Sequence, residues 1–203
     1  MILRMIKIIV VMCCALGFSI IANATPVRTY DIEVLVFSHI TPQTVQSEQW
    51  PTLPENSINT FYQSTASTES PNTAQQLQHE KRALQRNPGY RVLLDRSWQR
   101  SWSGDSSTIT LPISGGDNLG GHAQLTGSIS INLAHYFNVQ TTLLLTTPIA
   151  LLQKMDTRGY FAKVNQPYFS FQLIQSRRMR SNELNYFGHP LMGVLIKIIP
   201  IKN

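Results

Sequence analysis

The chain has 203 residues, 42% of them hydrophobic, and a formal net charge of +6, which fits one domain with enough apolar content for a core. Its only two cysteines, Cys13 and Cys14, lie in an apolar N-terminal stretch, so the mature chain expected below has neither thiol catalysis nor zinc–thiolate sites and folds without disulfides. The positive balance favours anionic partners, but it lacks the long basic run of a nucleic-acid tail, and an exported chain seldom meets nucleic acid.

Met1 to Ala24 reads as a signal peptide. Arg4 and Lys7 precede an apolar run from Ile8 to Ile21, and Ala22-Asn23-Ala24 is a small-x-small cleavage site. The apolar run is shorter than the roughly 20 residues of a spanning helix, and Met12 before Cys13 argues against lipid attachment. Cleavage removes two of the 17 Lys and Arg that stand against 11 Asp and Glu, leaving a net charge of about +4 on residues 25–203. That remainder is expected to be a single domain in the periplasm with no stable membrane span.

From Thr29 to Phe37, Tyr30, Ile32, Val34 and Val36 alternate with Asp31, Glu33, Leu35 and Phe37, the period-2 pattern of a first strand. Asp31 and Glu33 are expected on its wet face near a sheet edge, where acids discourage edge pairing. Residues 41–74 are rich in Ser, Thr, Gln, Asn and Pro and read as a flexible polar surface loop, with Trp50-Pro51 able to pin part of it. Gln75 to Arg86 carries helix formers with Leu77 and Leu84 as a weak apolar stripe, ends at Asn87-Pro88-Gly89, and presents Lys81, Arg82 and Arg86 to solvent.

Tyr90 to Arg100 predicts a strand with Tyr90, Val92, Leu94, Arg96, Trp98 and Arg100 on one side. Trp98 between Arg96 and Arg100 is a candidate aromatic platform beside cations, suited to a sugar ring and a carboxylate; tryptophan on a strand is also a core residue. Ile109 to Ile113 is a short strand, and 114–122 is a glycine-rich loop without the lysine or spacing of a phosphate cradle. Leu125 to Leu133 is a cleanly alternating strand, His135 to Asn138 turns it into a further strand over Val139 to Thr147, and Met155 to Pro167 is a basic loop.

The segment Phe171 to Ile199 gathers the strongest functional signal. Phe169, Phe171 and Leu173 alternate with Ser170 and Gln172, then Arg177, Arg178 and Arg180 lead to Ser181-Asn182, a plausible hairpin turn because Asn tolerates positive φ. That hairpin would oppose Arg180 to Glu183, Met179 to Leu184, Arg178 to Asn185 and Arg177 to Tyr186. His189-Pro190 breaks the strand, with His189 expected as a structural hydrogen-bonder, and Leu191 to Ile199 closes the sheet. The fold expected is α+β, a largely antiparallel sheet of about seven strands with one main helix inserted after the first.

The run from Gln175 to Leu195, together with Tyr30–Phe37, Tyr90–Arg100 and roughly Leu125–Leu145, resembles the CsiV family of periplasmic peptidoglycan-binding proteins of gamma-proteobacteria. The chain departs from that pattern at Asp95, Arg96, Asn138, Asn182, Asn185, Phe187, Gly188 and Met192. The resemblance implies a non-catalytic protein that binds peptidoglycan and supports the outer-membrane lipoprotein LpoA in activating a class A penicillin-binding protein. As a glycan-binding module it would use Arg178 and Arg180 to pair with stem-peptide or muramyl carboxylates, with Trp98 or Tyr186 against sugar rings, and Arg177, Arg100, Glu183 and His189 complete the candidate ligand-binding set. As an adaptor it would present the same basic hairpin or a strand edge to a protein partner. No catalytic signature is present and the five histidines lack metal-ligand spacing, which leaves an unfamiliar enzyme site as the third class; no cofactor or metal is expected.

Overall fold

The computed structural model describes residues 27–53, 75–103 and 107–201, so the expected leader and most of the polar loop lie outside the described residues. Among these described residues, eight strands run in chain order: β1 (Val27–Ser38), β2 (Arg91–Ser103), β3 (Thr108–Leu119), β4 (His122–Leu133), β5 (Phe137–Pro148), β6 (Tyr168–Met179), β7 (Leu184–His189) and β8 (Met192–Pro200). Among the described residues, three short helices, α1 (Pro42–Val45), α2 (Gln78–Gln85) and α3 (Ile149–Met155), and a 3-10 turn at Phe161–Lys163 fill the connections. The α+β, mostly antiparallel expectation holds, but the strands divide into two four-stranded sheets, ordered β2-β1-β8-β7 and β3-β4-β5-β6.

The two sheets share one core. Ile32, Val34, Val36, Val194, Ile196 and Ile198 from the first meet Leu111, Ile113, Ile129, Ile131, Leu143 and Leu145 from the second, each such burial contributing about 1.5–3 kcal/mol over exposure. Aromatic rings stitch the sheets together: Tyr30 of β1 meets Phe137 of β5 edge-on at 5.0 Å and Trp102 of β2 at 5.6 Å. The expected loop at 41–74 begins as packed structure. Thr41 and Thr44 form a reciprocal cap on α1, and buried Trp50 donates from Nε1 to the Val45 carbonyl at 2.8 Å, so that pin is realised.

Four further expectations change in three dimensions. In β2, Val92 pairs with Phe37 and Leu94 with Val36, leaving Leu93 as a bulge; the extra residue puts Val92 against the Leu35, Leu77 and Leu195 cluster while Leu94 joins the main core. The glycine-rich loop is mostly strand: β3 runs on to Leu119, and Gly120 and Gly121, at φ 61° and 92°, make the tight turn into β4. The loop expected over Met155 to Pro167 holds apart from the 3-10 turn at Phe161–Lys163, and α3, unforeseen in the sequence, precedes it.

The fourth is the acid pair on β1, which lies between β2 and β8 and is central rather than an edge. Glu33 is fully buried, and its carboxylate accepts from the backbone N–H groups of Gln75 (2.8 Å), Gln76 (2.7 Å) and Leu77 (3.0 Å) at the entry to α2. Lys81, expected in solvent, reaches Asp95 at 2.6 Å. Leu77 and Leu84 pack on Leu35, Val92 and Leu195, as the apolar stripe predicts, and α2 covers the part of the first sheet's outer face around these residues. No helix among the described residues is long and apolar enough to cross a membrane.

Replacing Glu33 by Ala leaves three backbone donors without their acceptor and is expected to lower unfolding free energy by about 2–3 kcal/mol, measured by urea denaturation. A loss below about 0.5 kcal/mol, the range of ordinary surface substitutions, would contradict this role.

Candidate functional site

The arginine-rich segment does not form the expected hairpin. The turn exists, with Asn182 at φ 63°, but β6 pairs along its length with β5, up to Phe137 opposite Met179, whereas β7 pairs with β8. Arg178 therefore faces Asn138 rather than Asn185, and Arg177 faces Val139 rather than Tyr186. Between β6 and β7 a side chain substitutes for strand pairing. Gln175 Nε2 donates to the Gly188 carbonyl at 2.8 Å, and the Gly188 N–H donates to Gln175 Oε1 at 3.1 Å.

Alternation along β6 still separates the arginines. Met179 is buried beside the core and Arg177 lies on the same side, its guanidinium 5.7 Å from the ring of buried Phe187. Arg178 points to the outer face, where its guanidinium lies 3.5 Å from the centre of the Tyr136 ring, with Arg180 at 5.6 Å from the same ring. A hydrogen bond from Arg180 and the charge of Arg178 hold the Tyr136 phenol below its ordinary pKa, and the same hydrogen bond raises Arg180 further. Glu183 adds a smaller upward contribution to Arg180. Among the described residues, no carboxylate lies within ion-pair distance of Arg177 or Arg178.

Tyr136, missed in the sequence because it sits in a turn, anchors this corner. The corner opens onto a groove of about 350 Å³ lined by Thr108, Ser130, Asn132, Asn138, Gln140 and Arg178 among others. An adjoining recess of about 320 Å³ is formed by Ala134, His135, Tyr136, Asn138 and Arg178. The two share Asn138 and Arg178.

The other candidates stand apart from this groove. Trp98 is 4% exposed and belongs to the core, because its cross-strand partner is Ile32 on the inward face of a central strand; its ring offers no open face to a sugar. Arg100 is half-buried on β2, where burial lowers its pKa, and donates to the Gln99 carbonyl at 2.9 Å. Tyr186 is 47% exposed and stacks on Phe37 on the outer face of the first sheet. It lies over Gly188, where an added Cβ would meet the Tyr186 ring and hydroxyl at 2.7–3.0 Å, so glycine leaves room for the side chain. His189 is half-buried beside Trp50 at 5.2 Å, and its Nδ1 accepts from the Leu191 N–H at 3.1 Å, a structural role at the β7–β8 tip.

Together these elements make a two-sheet antiparallel fold with a polar groove on one sheet and two arginines gathered at its corner. Residues 5–201 match the family described as peptidoglycan-binding protein, CsiV, and the chain belongs to that family. No curated protein and no solved structure matches it. Among the described residues, no group of three or more His, Cys, Asp or Glu is placed to hold a metal ion.

Burial pulls the His189 pKa below its ordinary 6.5, with Glu48 opposing weakly. The unfolded chain therefore binds the proton more readily, so His189 stabilises the fold above about pH 6.5 and that contribution is lost as pH falls from there. Denaturation midpoints measured from pH 7.5 to 5 are expected to fall less steeply in His189→Gln than in the parent; equal slopes would contradict the assignment.

Proposed function

We propose that this protein binds peptidoglycan in the periplasm through the corner made by Arg178, Arg180 and Tyr136, without catalysing a reaction on it. The observation that carries this reading is Arg178, stacked at 3.5 Å on Tyr136 and with no carboxylate partner among the described residues. A guanidinium held against a ring has already lost much of its rotamer freedom, and its donor edge matches a carboxylate bidentately. Muramyl peptides supply such carboxylates. The family description supports the ligand class, and the signal-like leader supports the compartment.

Service to an LpoA-type lipoprotein and a class A penicillin-binding protein is the finer reading that the family resemblance suggests. An adaptor role is favoured by separate features: Leu184 and Tyr186, each 47% exposed on one face of β7, and Ile174, 54% exposed on the edge strand β6. In that reading Arg177, Glu183 and the apolar surface of β7 meet a protein partner while Arg178 and Arg180 meet the wall.

Co-sedimentation of the purified protein with sacculi tests the proposal, run across a salt series beside a non-binding basic protein of similar charge. Binding above the control is expected, weakening as salt rises, with at least a tenfold loss in Arg178→Ala/Arg180→Ala. Binding no greater than the control, or unchanged in the double variant, would overturn it.

A further inference from the structure

Resting on the peptidoglycan reading, we infer that the outer face of the second sheet seats the glycan backbone itself, a β-1,4-linked chain of N-acetylated aminosugars lying across the strands. The register places two rows of side chains on this face. Thr108, Asn132, Asn138 and Arg178 are successive cross-strand partners from β3 to β6, and Thr110, Ser130, Gln140 and Ser176 form the parallel row beside them.

The chemistry of these rows is unusual for a wet sheet face. Seven of these eight side chains carry an amide or a hydroxyl, groups that both donate and accept, and the eighth, Arg178, is the one charge. Exposed strand positions ordinarily carry Lys, Glu and Arg as well. A polyanion would find one cation at the end of the row and nothing to pair with along it, and an apolar peptide would find no pocket. Sugar hydroxyls and acetamido groups, uncharged and rich in both donors and acceptors, suit the whole length.

Spacing points the same way. Neighbouring strands stand about 4.8 Å apart, close to the advance of one pyranose along a β-1,4-linked chain, so successive sugars can meet successive strands in equal steps. Part of the row is already fixed. Asn132 Nδ2 donates to Thr108 Oγ1 at 3.1 Å, and the hydroxyls of Thr110 and Ser130 are 3.2 Å apart, which limits what these side chains lose on binding. Asn138, Gln140, Ser176 and Arg178 are exposed, and the groove is lined by Asn132, Asn138, Gln140 and Ser176 together with Arg178. There a lactyl or peptide carboxylate would meet the guanidinium, so the same seat reads the neutral backbone and its acidic branch.

The test uses tetra-N-acetylchitotetraose, which carries the β-1,4 linkage and acetamido groups but no carboxylate and no peptide. Binding to the full protein is measured by calorimetry or NMR titration at low and high salt, next to Asn138→Ala/Gln140→Ala, whose two sites are exposed and whose thermal melt is checked against the parent. Saturable binding that is insensitive to salt and weakened at least tenfold in the double variant is expected. No binding of chitotetraose by a protein that still binds sacculi would overturn the glycan seat and leave the peptidoglycan reading standing on the peptide side. Failure with both ligands would remove both, and chitotetraose binding that the double variant does not weaken would place the seat elsewhere and overturn this one.

Discussion

The amide of Gln175 holds together an arrangement on which the candidate site depends. β6 and β7 follow each other in sequence with a tight turn between them, yet they belong to different sheets. The two hydrogen bonds between Gln175 and Gly188 give one residue's worth of pairing across the gap, enough to seat β7 beside β6 while leaving β6 in full register with β5. If β6 and β7 had paired throughout, Arg178 would face Asn185 and the basic residues would form an isolated ribbon. Because they do not, Arg178 ends a row of polar side chains that crosses four strands.

The first sheet serves a different purpose. Part of its outer face is covered by α2, held at its entry by Glu33 and along its side by Lys81 on Asp95, with Leu77 and Leu84 as the apolar contact. A buried carboxylate is costly in an apolar setting and is tolerated here because three backbone donors converge on it. The second sheet leaves its corresponding polar end uncovered. Its wet face carries few charges, and the cations it has are gathered at one corner by a tyrosine ring.

Strands were legible wherever alternation was strict. β1, β4 and the first half of β6 follow the pattern of their residues, and the apolar stripe of α2 marks the side it buries. Sheet membership was not legible, because alternation reports which way a side chain points and says nothing of which neighbour its strand takes. Asn182 illustrates the limit: its positive φ is what a sharp reversal requires, and a reversal between two sheets needs it as much as a hairpin does. Trp98 looked like a platform from its neighbours Arg96 and Arg100; the pairing with Ile32 on a central strand decided otherwise. The site residues that went unnoticed, Tyr136, Asn132, Asn138 and Gln140, did leave a signal, since after His122 the polar positions of β4 and β5 are amides and hydroxyls with no lysine or glutamate among them. The departures at Asp95, Asn138 and Gly188 fall at a helix clamp, in the groove and beneath Tyr186 respectively, so they form no single altered surface.

The central claim is positional: ligand meets the polar rows and the Arg178–Tyr136 corner. The most direct measurement is an NMR titration of the isotope-labelled protein with soluble muropeptides released from purified sacculi by a muramidase. Shift changes concentrated at Asn132, Tyr136, Asn138, Gln140, Ser176 and Arg178 are the predicted result. Changes centred instead on Phe37, Tyr90 and Tyr186 across the first sheet, or no changes at all, would contradict the account.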